Sequence, residues 1–371
     1  MRVAFVHDHL IQHGGAERVL SALQAIWPYA PTYTLYYDAE SMRADFGHKD
    51  IRTSFLQKMP FGKRLFRYSL PLMASATESY DLSEYDVVIS SASAFAKGII
   101  THPHTIHICY CHTPTRYLWS DTASYVSELR VPKLVKWALP PILSQLRLWD
   151  KAAADRVDLF LANSETVKDR IRKYYKKDST VIHPPVDTER FQISANPKKY
   201  YLAGGRLVSY KRFDLVVGAF TKLGLPLKVF GSGPAEKDLR ARAGANVQFL
   251  GRVSDEERAR LYADAVAFIN PQEEDFGMTV VESMATGRPV IAYKKGGALE
   301  TVLDGITGAF FTQQTAEVLA ECIKNFQADA YDPKIIRAHA EKFSTERFRK
   351  ELLAFVEQAY EDRHRRPGTH E

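Results

Sequence analysis

The sequence predicts an α/β protein with two successive domains, because strand and helix patterns alternate along the chain and the alternation restarts midway. Short apolar runs such as Val3-Ala-Phe-Val6 and Val266-Ala-Phe-Ile269 are typical of strands buried in a parallel sheet. A glycine pair follows the first strand of each half, at Gly14-Gly15 and Gly204-Gly205. Ligands of such folds bind at the carboxyl ends of the strands, so functional residues are expected there.

The first domain, residues 1–187, is predicted to be Rossmann-like. Its strands are expected at residues 3–6, 86–90, 105–110 and 159–162. A helix should run from the glycine pair to about Trp27. Gly14 and Gly15 would let phosphate or sugar oxygens approach the start of this helix. The third glycine and the later ribose acid of the dinucleotide fingerprint are missing, which argues against a nicotinamide dehydrogenase.

A second Rossmann-like domain is predicted for residues 188–345, and two such repeats imply two lobes facing each other across a cleft. Pro184 and Pro185 disfavour helix, so we place the hinge near residues 183–190. An apolar stripe predicts a last helix at about 346–363, and the tail 364–371 is predicted to be disordered. The strands of this domain are expected at residues 200–203, 227–230, 247–250, 266–269 and 290–292.

The composition is that of a globular protein, with 45% hydrophobic and 25% charged residues in a chain of 371. No apolar run reaches the length of a membrane span, and the N-terminus lacks the apolar region of a signal peptide. Three cysteines, an odd number, favour a reducing compartment over a disulfide framework. We therefore expect a cytoplasmic protein.

The net charge of +6 fits an anionic partner, which could be a nucleic acid, a phospholipid headgroup or a nucleotide diphosphate. The sequence has no helix-turn-helix, zinc-finger or RRM signature, so no nucleic-acid partner is expected. The oligomeric state is left open.

The most informative stretch carries two carboxylates, Glu274 and Glu282, eight positions apart. A Phe276-Gly277 turn lies between them, after one apolar strand and at the start of a helix. The N–H groups at a helix start suit an anion, whereas carboxylates accept hydrogen bonds from hydroxyl groups. Glu282 is expected two helical turns further along. A nucleotide sugar carries both phosphates and hydroxyls and fits this pattern.

With these residues the chain resembles the family-4 retaining glycosyltransferases, which have the GT-B architecture. The resemblance covers essentially the whole chain. It includes Gly204-Gly-Arg-Leu-Val-Ser-Tyr-Lys-Arg-Phe-Asp214, Val229-Phe-Gly-Ser-Gly-Pro234 and Gly305-Ile-Thr-Gly308. The segment Tyr110-Cys-His-Thr-Pro-Thr-Arg-Tyr-Leu-Trp119 is most similar to the mannosyltransferase-like branch of O-antigen and exopolysaccharide synthesis. In this family the last helix crosses back onto the first domain.

The resemblance implies that Arg206 and Lys211 form a phosphate clamp. Arginine offers a planar fork for two phosphate oxygens and lysine a point charge, so the two could neutralise a departing nucleotide diphosphate. The alternative is a solvated basic loop in which Arg212 is a third surface charge.

The resemblance also implies that Glu274 contacts the donor sugar and that Glu282 binds the ribose. Glu274 could steady positive charge at the anomeric carbon, as glycosidase carboxylates do; Glu273 and Asp275 are its competitors in the sequence. The alternative is a capping residue followed by a solvent-facing helix residue. The implied donor site comprises Gly15, Arg206, Lys211, Val253, Glu274, Phe276, Gly277, Met278, Thr279 and Glu282.

His112 is implied to be catalytic, lining the sugar pocket opposite Glu274, where it can donate a hydrogen bond or position the acceptor. With Gly14 it forms the expected acceptor side; the alternative is a supporting histidine. A metal reading of His107, Cys109, Cys111 and His112 is disfavoured, because strand alternation separates His112 from the other three. No other Cys/His cluster or Asp-x-Asp pair occurs, so no metal cofactor is expected.

The expected reaction retains anomeric configuration, with the acceptor hydroxyl attacking on the face that the diphosphate leaves. GDP-mannose is favoured as donor over UDP-sugars, and a lipid-linked glycan is the acceptor that the resemblance implies. A sugar-nucleotide epimerase of the same architecture and a non-catalytic sugar-nucleotide-binding protein are the alternatives.

Two segments of the first domain mix basic and bulky apolar residues, at residues 55–73 and 129–148. We expect that they could hold the enzyme on the anionic inner face of the plasma membrane. The alternative, of equal weight, is a pair of ordinary amphipathic helices packed on the core.

Overall fold

The chain folds into two compact units, each built on one parallel β-sheet. The computed structural model describes residues 1–59, 69–123, 126, 133–195 and 197–365. The first unit comprises Met1–His183 and Arg349–Glu371, and the second comprises Pro184–Phe348. The predicted α/β class with one parallel sheet in each half is confirmed.

The sheet of the first unit has the strand order β3-β2-β1-β4-β5-β6-β7, and every neighbouring pair is parallel. The central strands are buried along their whole length, as their apolar sequences predict. The three strands that the sequence did not predict, β2, β3 and β7, are only two or three residues long. The strands are β1 Val3–His7, β2 Thr32–Thr34, β3 Ile51–Thr53, β4 Val87–Ala92, β5 Ile106–Cys111, β6 Leu159–Ala162 and β7 Thr180–Val181.

Helices connect these parallel strands. The first begins at Gly15, the second glycine of the pair, and ends one residue before the predicted Trp27. The helices of the first unit are α1 Gly15–Ile26, α2 Arg43–Phe46, α3 Phe55–Lys58, α4 Leu70–Glu78, α5 Lys133–Asp155 and α6 Glu165–Tyr175.

The sheet of the second unit has the order β10-β9-β8-β11-β12-β13 and is also parallel. The sequence did not predict β13, whose first residue is a glycine. The strands are β8 Tyr201–Gly204, β9 Leu227–Phe230, β10 Val247–Gly251, β11 Phe268–Asn270, β12 Val290–Tyr293 and β13 Gly308–Phe311. The helices are α7 Phe213–Leu223, α8 Glu236–Arg242, α9 Asp255–Asp264, α10 Met278–Ala285, α11 Ala298–Thr301, α12 Ala316–Asn325 and α13 Pro333–Ala340.

The last helix, α14 Thr345–Arg365, starts in the second unit and continues into the first, as predicted. Leu352 and Val356 on its apolar stripe are fully buried. Near its end the Arg363 guanidinium donates a hydrogen bond to the carbonyl oxygen of Pro103. Residues 364–371 were predicted to be disordered. This is wrong for residues 364 and 365, which are helical, and residues 366–371 lie outside the described residues.

The predicted membrane segments fall partly outside the described residues, which exclude 60–68, 124–125 and 127–132. On α5, Leu143 and Leu146 are buried in the core, whereas Trp137 and Leu148 are 80% and 65% exposed. Among the described helices, none combines the length and apolar character that crossing a bilayer requires.

Candidate active site

In each sheet the strand order reverses at one place, between β1 and β4 in the first unit and between β8 and β11 in the second. Ligands of open α/β sheets bind outside the carboxyl ends of the strands at such a reversal. Arg206 and Lys211 follow β8, and Glu274 follows β11. The topology therefore gathers these three sequence-predicted residues at one edge of the second sheet.

Glu274 is held in a turn before α10. Its carbonyl oxygen accepts a hydrogen bond from the Gly297 N–H at 2.8 Å, and it forms a parallel bridge with Gly296. Gly277 caps α10 with a φ of 93°, a conformation that favours glycine, and no side chain caps the helix start. The first N–H groups of α10 are thus available to an anionic ligand.

Lys211 and Glu274 form a partly buried ion pair, with 2.7 Å between Nζ and Oε1. The same Oε1 accepts a hydrogen bond of 2.9 Å from the Gln272 amide. Burial lowers the pKa of Lys211, but the Glu274 carboxylate raises it by more, so the pKa lies above its ordinary value. Lys211 is therefore a cation at neutral pH, and Glu274 is oriented by two donors.

Three buried polar atoms beside this pair have no hydrogen-bond partner within the described part of the chain. They are Asn270 Oδ1, Gln272 Oε1 and Thr279 Oγ1. A buried polar atom without a partner costs about 1–3 kcal/mol. Asn270 ends β11, Gln272 lies in the following turn and Thr279 is in the first turn of α10, so a hydroxyl-bearing or phosphate-bearing ligand at this place would supply what they lack.

The other predicted donor-site residues differ in what they can offer. Arg206 is exposed just after β8, and its charge is close enough to lower the pKa of Lys211. The side chains of Phe276 and Val253 pack in the core; Phe276 lies edge-on against Phe343, with 5.5 Å between ring centres. Phe276 can therefore face a ligand only through its main chain, whereas Val253 is only partly buried. Met278 and Thr279 are the first two residues of α10.

Glu282 lies one turn into α10, not two as predicted, because the helix begins only at Met278. Its side chain is almost fully buried, so the alternative of a solvent-facing residue is wrong. Oε2 accepts a hydrogen bond of 3.1 Å from the Tyr262 hydroxyl and lies 3.6 Å from the Arg258 guanidinium. Both partners lie on α9, and no motif in the sequence pointed to either of them.

In the first unit, His112 directly follows β5 and shares a network with residues that the sequence analysis did not identify. Its Nε2 lies 2.8 Å from Ser91 Oγ, which lies 3.1 Å from His7 Nδ1. The other nitrogen of His7 is 3.7 Å from Glu17 Oε1. Burial, reinforced by His7, lowers the pKa of His112 to about 4, so the ring is neutral at physiological pH.

Gly14 and Gly15 mark the start of α1, and no side chain caps this helix either. A Cβ atom at Gly14 would lie 2.8 Å from Oε2 of Glu17, so the glycine makes room for that carboxylate to fold back over the helix start. Gly14 therefore has a role inside the first unit that does not depend on a ligand.

Two family models match the chain, one described as Glycosyltransferase Family 4 over residues 14–190 and one as Glycosyl transferases group 1 over residues 185–343. The chain belongs to the family-4 glycosyltransferases. Both predicted halves thus carry the pattern of this family.

Several curated relatives are similar to this family-4 chain. The alpha-1,3/1,6-mannosyltransferase ALG2 of Dictyostelium discoideum is 24% identical over 335 residues, covering 75% of this chain and 76% of its own. The GDP-mannose-dependent alpha-mannosyltransferase of Corynebacterium glutamicum is 24% identical, with 53% and 54% covered. An uncharacterised glycosyltransferase of Methanocaldococcus jannaschii is 26% identical, with 58% and 63% covered. The chain thus spans from about half to three-quarters of the length of these relatives.

Solved structures show the same GT-B fold. Anabaena HepE, solved in complex with UDP and glucose, superimposes with a TM-score of 0.71 at 19% identity, covering 96% of this chain and 99% of its own. Sucrose-phosphate synthase of Thermosynechococcus elongatus gives a TM-score of 0.73 at 18% identity, covering 98% and 100%. At these identities the similarity establishes the fold of this family-4 protein.

The cysteines and histidines of β5 take structural positions. Cys109 and Cys111 are buried free thiols in the core of the first unit, and the His107 ring bonds Ser90 Oγ at 2.8 Å. Within the described residues no three His, Cys, Asp or Glu side chains are placed to share a metal ion. Metal independence stays a prediction.

Proposed function

We propose that this protein is a retaining hexosyltransferase that moves a hexose from a nucleotide-diphosphate sugar to a hydroxyl group of a glycan acceptor. One observation carries the proposal: the Lys211–Glu274 ion pair stands at the uncapped start of α10, beside three buried polar atoms that lack partners. A cation, helix N–H groups and a carboxylate in one place suit a ligand that carries phosphates and sugar hydroxyls.

The roles follow from charge. Arg206 and Lys211 stabilise the negative charge that develops on the departing diphosphate, with help from the N–H groups of Gly277, Met278 and Thr279. Glu274 binds the hexose and stabilises positive charge at the anomeric carbon. Glu282 accepts hydrogen bonds from the ribose hydroxyls, and His112 of the first unit binds the reacting sugars.

Retention follows if the acceptor hydroxyl attacks on the face that the diphosphate leaves. The leaving phosphate then takes the proton, and no strong protein base is needed. The Lys211 ammonium, with its raised pKa, supplies the positive charge for which other enzymes use a metal ion, which supports a metal-independent reaction.

We favour GDP-mannose as the donor, because two relatives are named as mannosyltransferases and one of them as GDP-mannose-dependent. UDP-sugars are the second choice, since a structure of the same fold was solved with UDP-glucose. The roles proposed for Lys211 and Glu274 concern the phosphate and the hexose of the donor. They therefore do not distinguish guanine from uracil as the donor base.

We propose a lipid-linked glycan as the acceptor and the cytoplasmic membrane surface as the place of reaction. The exposed Trp137 on α5, next to Lys136, supports this, because indole rings and lysines favour the lipid interface. Flotation with liposomes tests it: wild type should float with anionic vesicles, and Trp137→Ala should float less. Equal recovery in the soluble fraction with neutral and anionic vesicles would remove membrane binding and leave the donor chemistry untouched.

The donor proposal is tested by thermal shift over GDP, UDP and their sugars, followed by a transfer assay with product analysis by NMR. At equal ligand concentration the true donor should raise the melting temperature most, because stabilisation grows with the logarithm of ligand concentration over Kd. An α-linked product from an α-linked donor shows retention. Conversion of the donor sugar without any acceptor would instead indicate the epimerase, and binding without turnover would indicate a sensor.

A further inference from the structure

Four buried or half-buried side chains of the first unit form a continuous polar chain that ends at His112. Glu17 lies on α1, His7 ends β1, Ser91 lies on the neighbouring strand β4, and His112 follows β5. His7 and Ser91 are direct partners in the β1–β4 register, which fixes the spacing between them. The chain thus links the helix start after β1 to the ring that the proposed function places against the sugars.

The Ser91 hydroxyl has a single proton and stands between two histidine nitrogens, at 3.1 Å from His7 Nδ1 and 2.8 Å from His112 Nε2. It can donate to one ring only and must accept from the other. The proton on His7 therefore decides the proton on His112. If His7 Nδ1 accepts, His112 carries its proton on Nε2.

The Glu17 carboxylate determines which of the two histidine rings receives the Ser91 proton. It faces His7 Nε2 at 3.7 Å, and both side chains are less than a tenth exposed. Burial raises the pKa of Glu17, but the facing His7 ring lowers it by more, so the group is ionised at neutral pH. A buried carboxylate favours an N–H on the nitrogen that faces it, which leaves Nδ1 of a neutral His7 as an acceptor for Ser91.

We propose that Glu17 is a positioning residue that acts through His7 and Ser91 to hold His112 in its Nε2–H tautomer, so that Nδ1 offers a lone pair to a sugar hydroxyl. The inference rests on the proposed function only in assigning that hydroxyl to a substrate. It differs from the sequence-based expectation that His112 donates a hydrogen bond or helps to position the acceptor. No described residue hydrogen-bonds to His112 Nδ1.

Within the described residues, Asp8 and His9 also lie near the chain: Asp8 interacts electrostatically with His7 and His112, and His9 with His7 and Glu17. The Asp8 carboxylate is already held by three main-chain N–H groups, at 2.6 Å from Ser93, 2.9 Å from Ala94 and 2.7 Å from Ala96. It anchors the turn after β4 and does not compete for the His7 proton.

The first test reads the tautomer directly, without turnover. In protein labelled at histidine with ¹⁵N and ¹³C, the His112 signal is assigned by its loss in His112→Gln. Wild type should show the Nε2–H form at pH 7.5. Glu17→Leu, which keeps the side-chain volume and removes the acceptor, should show a mixture or the Nδ1–H form. An Nδ1–H ring in wild type, or an unchanged ring in Glu17→Leu, would overturn the proposal.

The second test uses kinetics. Glu17→Leu and Ser91→Ala should each lower kcat about tenfold or more and leave the donor KM within about twofold, because the ring stays in place but presents the wrong nitrogen. Since the residues act in series, the double variant should lose no more than Ser91→Ala alone. Additive losses, or a loss confined to KM, would refute the series.

Ser90→Ala is the matched control, because Ser90 is equally buried and makes a 2.8 Å bond to His107 from the opposite face of β4. It should leave kcat within about twofold. The two tests also separate the inference from the proposed function. A shifted His112 tautomer in Glu17→Leu with no transferase activity in wild type would sink the function and keep the positioning role.

Discussion

The Lys211 ammonium nitrogen lies 2.7 Å from Oε1 of Glu274, so the cation expected on the phosphate and the acid expected on the sugar are partners before any ligand binds. Each neutralises the other in a site where both are less than a fifth exposed. A diphosphate approaching Lys211 would add a second anion to a cation that is already paired. Removing either residue therefore changes both.

We expect Lys211→Ala to lower kcat/KM by about 10²–10³, the typical loss for one preorganised donor that meets transition-state charge. Glu274→Gln should lose a similar factor. The double variant should lose less than the product of the two, because each single variant leaves the other charge without its partner. Initial rates of transfer at subsaturating donor measure this.

Lys295→Ala is the control for that series. Lys295 pairs with Glu273, the adjacent acid, at 3.1 Å, but it is more than half exposed. An exposed pair contributes little, so activity should stay within about twofold. Wild-type turnover in Lys211→Ala would remove the phosphate role of Lys211.

Glu282→Gln should weaken binding of the nucleoside diphosphate by about 10–100-fold, the worth of hydrogen bonds to a charged acceptor, whereas kcat at saturating donor should change little. Calorimetric titration with GDP and UDP measures it. Glu317→Gln, on an exposed face of α12, should bind like wild type. Unchanged affinity in Glu282→Gln would show that its carboxylate only holds Tyr262 and the α9–α10 contact.

We expect the stability of the first unit to depend on a buried ion pair. Lys97 Nζ lies 2.5 Å from Asp150 Oδ1, both side chains are at most 2% exposed, and Asp150 also accepts from Thr115, Trp119 and Tyr175. Lys97→Met should cost about 3–5 kcal/mol of unfolding free energy, because the carboxylate is left buried without its cation. Chemical denaturation followed by tryptophan fluorescence measures this.

The double variant Lys97→Met/Asp150→Asn should recover part of that loss, since the amide keeps hydrogen-bond capacity and carries no charge. A double variant less stable than Lys97→Met would contradict this account. Neither variant tests the donor chemistry, because neither residue belongs to the second unit.

We expect the free energy of unfolding to decrease as the pH falls, because the buried His107 resists protonation in the folded state. Burial, followed by the charge of Arg156, lowers the pKa of His107 to about 3, while the unfolded chain titrates near 6.5. Between these pH values the unfolded state binds more protons, so stability that is full above about pH 6.5 declines as the pH falls toward 3. This group contributes up to about 1.4 kcal/mol per pH unit.

His107→Gln should remove the part of the pH dependence of the unfolding free energy that His107 contributes. Urea unfolding at pH 7.5 and pH 5 measures the difference for each protein. Equal losses of stability between the two pH values in wild type and His107→Gln would show that His107 is not responsible.

Much of the fold was predictable because its signals are local. Apolar runs of four to six residues gave the central strands, and the stripe of Leu352 and Val356 gave the last helix. The strands β2, β3 and β7 are too short to show a period, and their position at or near the sheet edge is decided by pairing with longer neighbours. Glu282 was placed a turn too far because the helix start at Gly277 depends on a positive φ.

For the site, the sequence by itself determined the residue types and their order: two acids around a glycine turn, two cations after a strand, and a histidine before Pro114. Only the tertiary structure decided which of them touch. Lys211 and Glu274, or Glu17, His7, Ser91 and His112, meet because parallel strands bring distant segments to one sheet edge. A hydrogen bond depends on separations of about 3 Å between atoms, and spacing along the chain does not encode them.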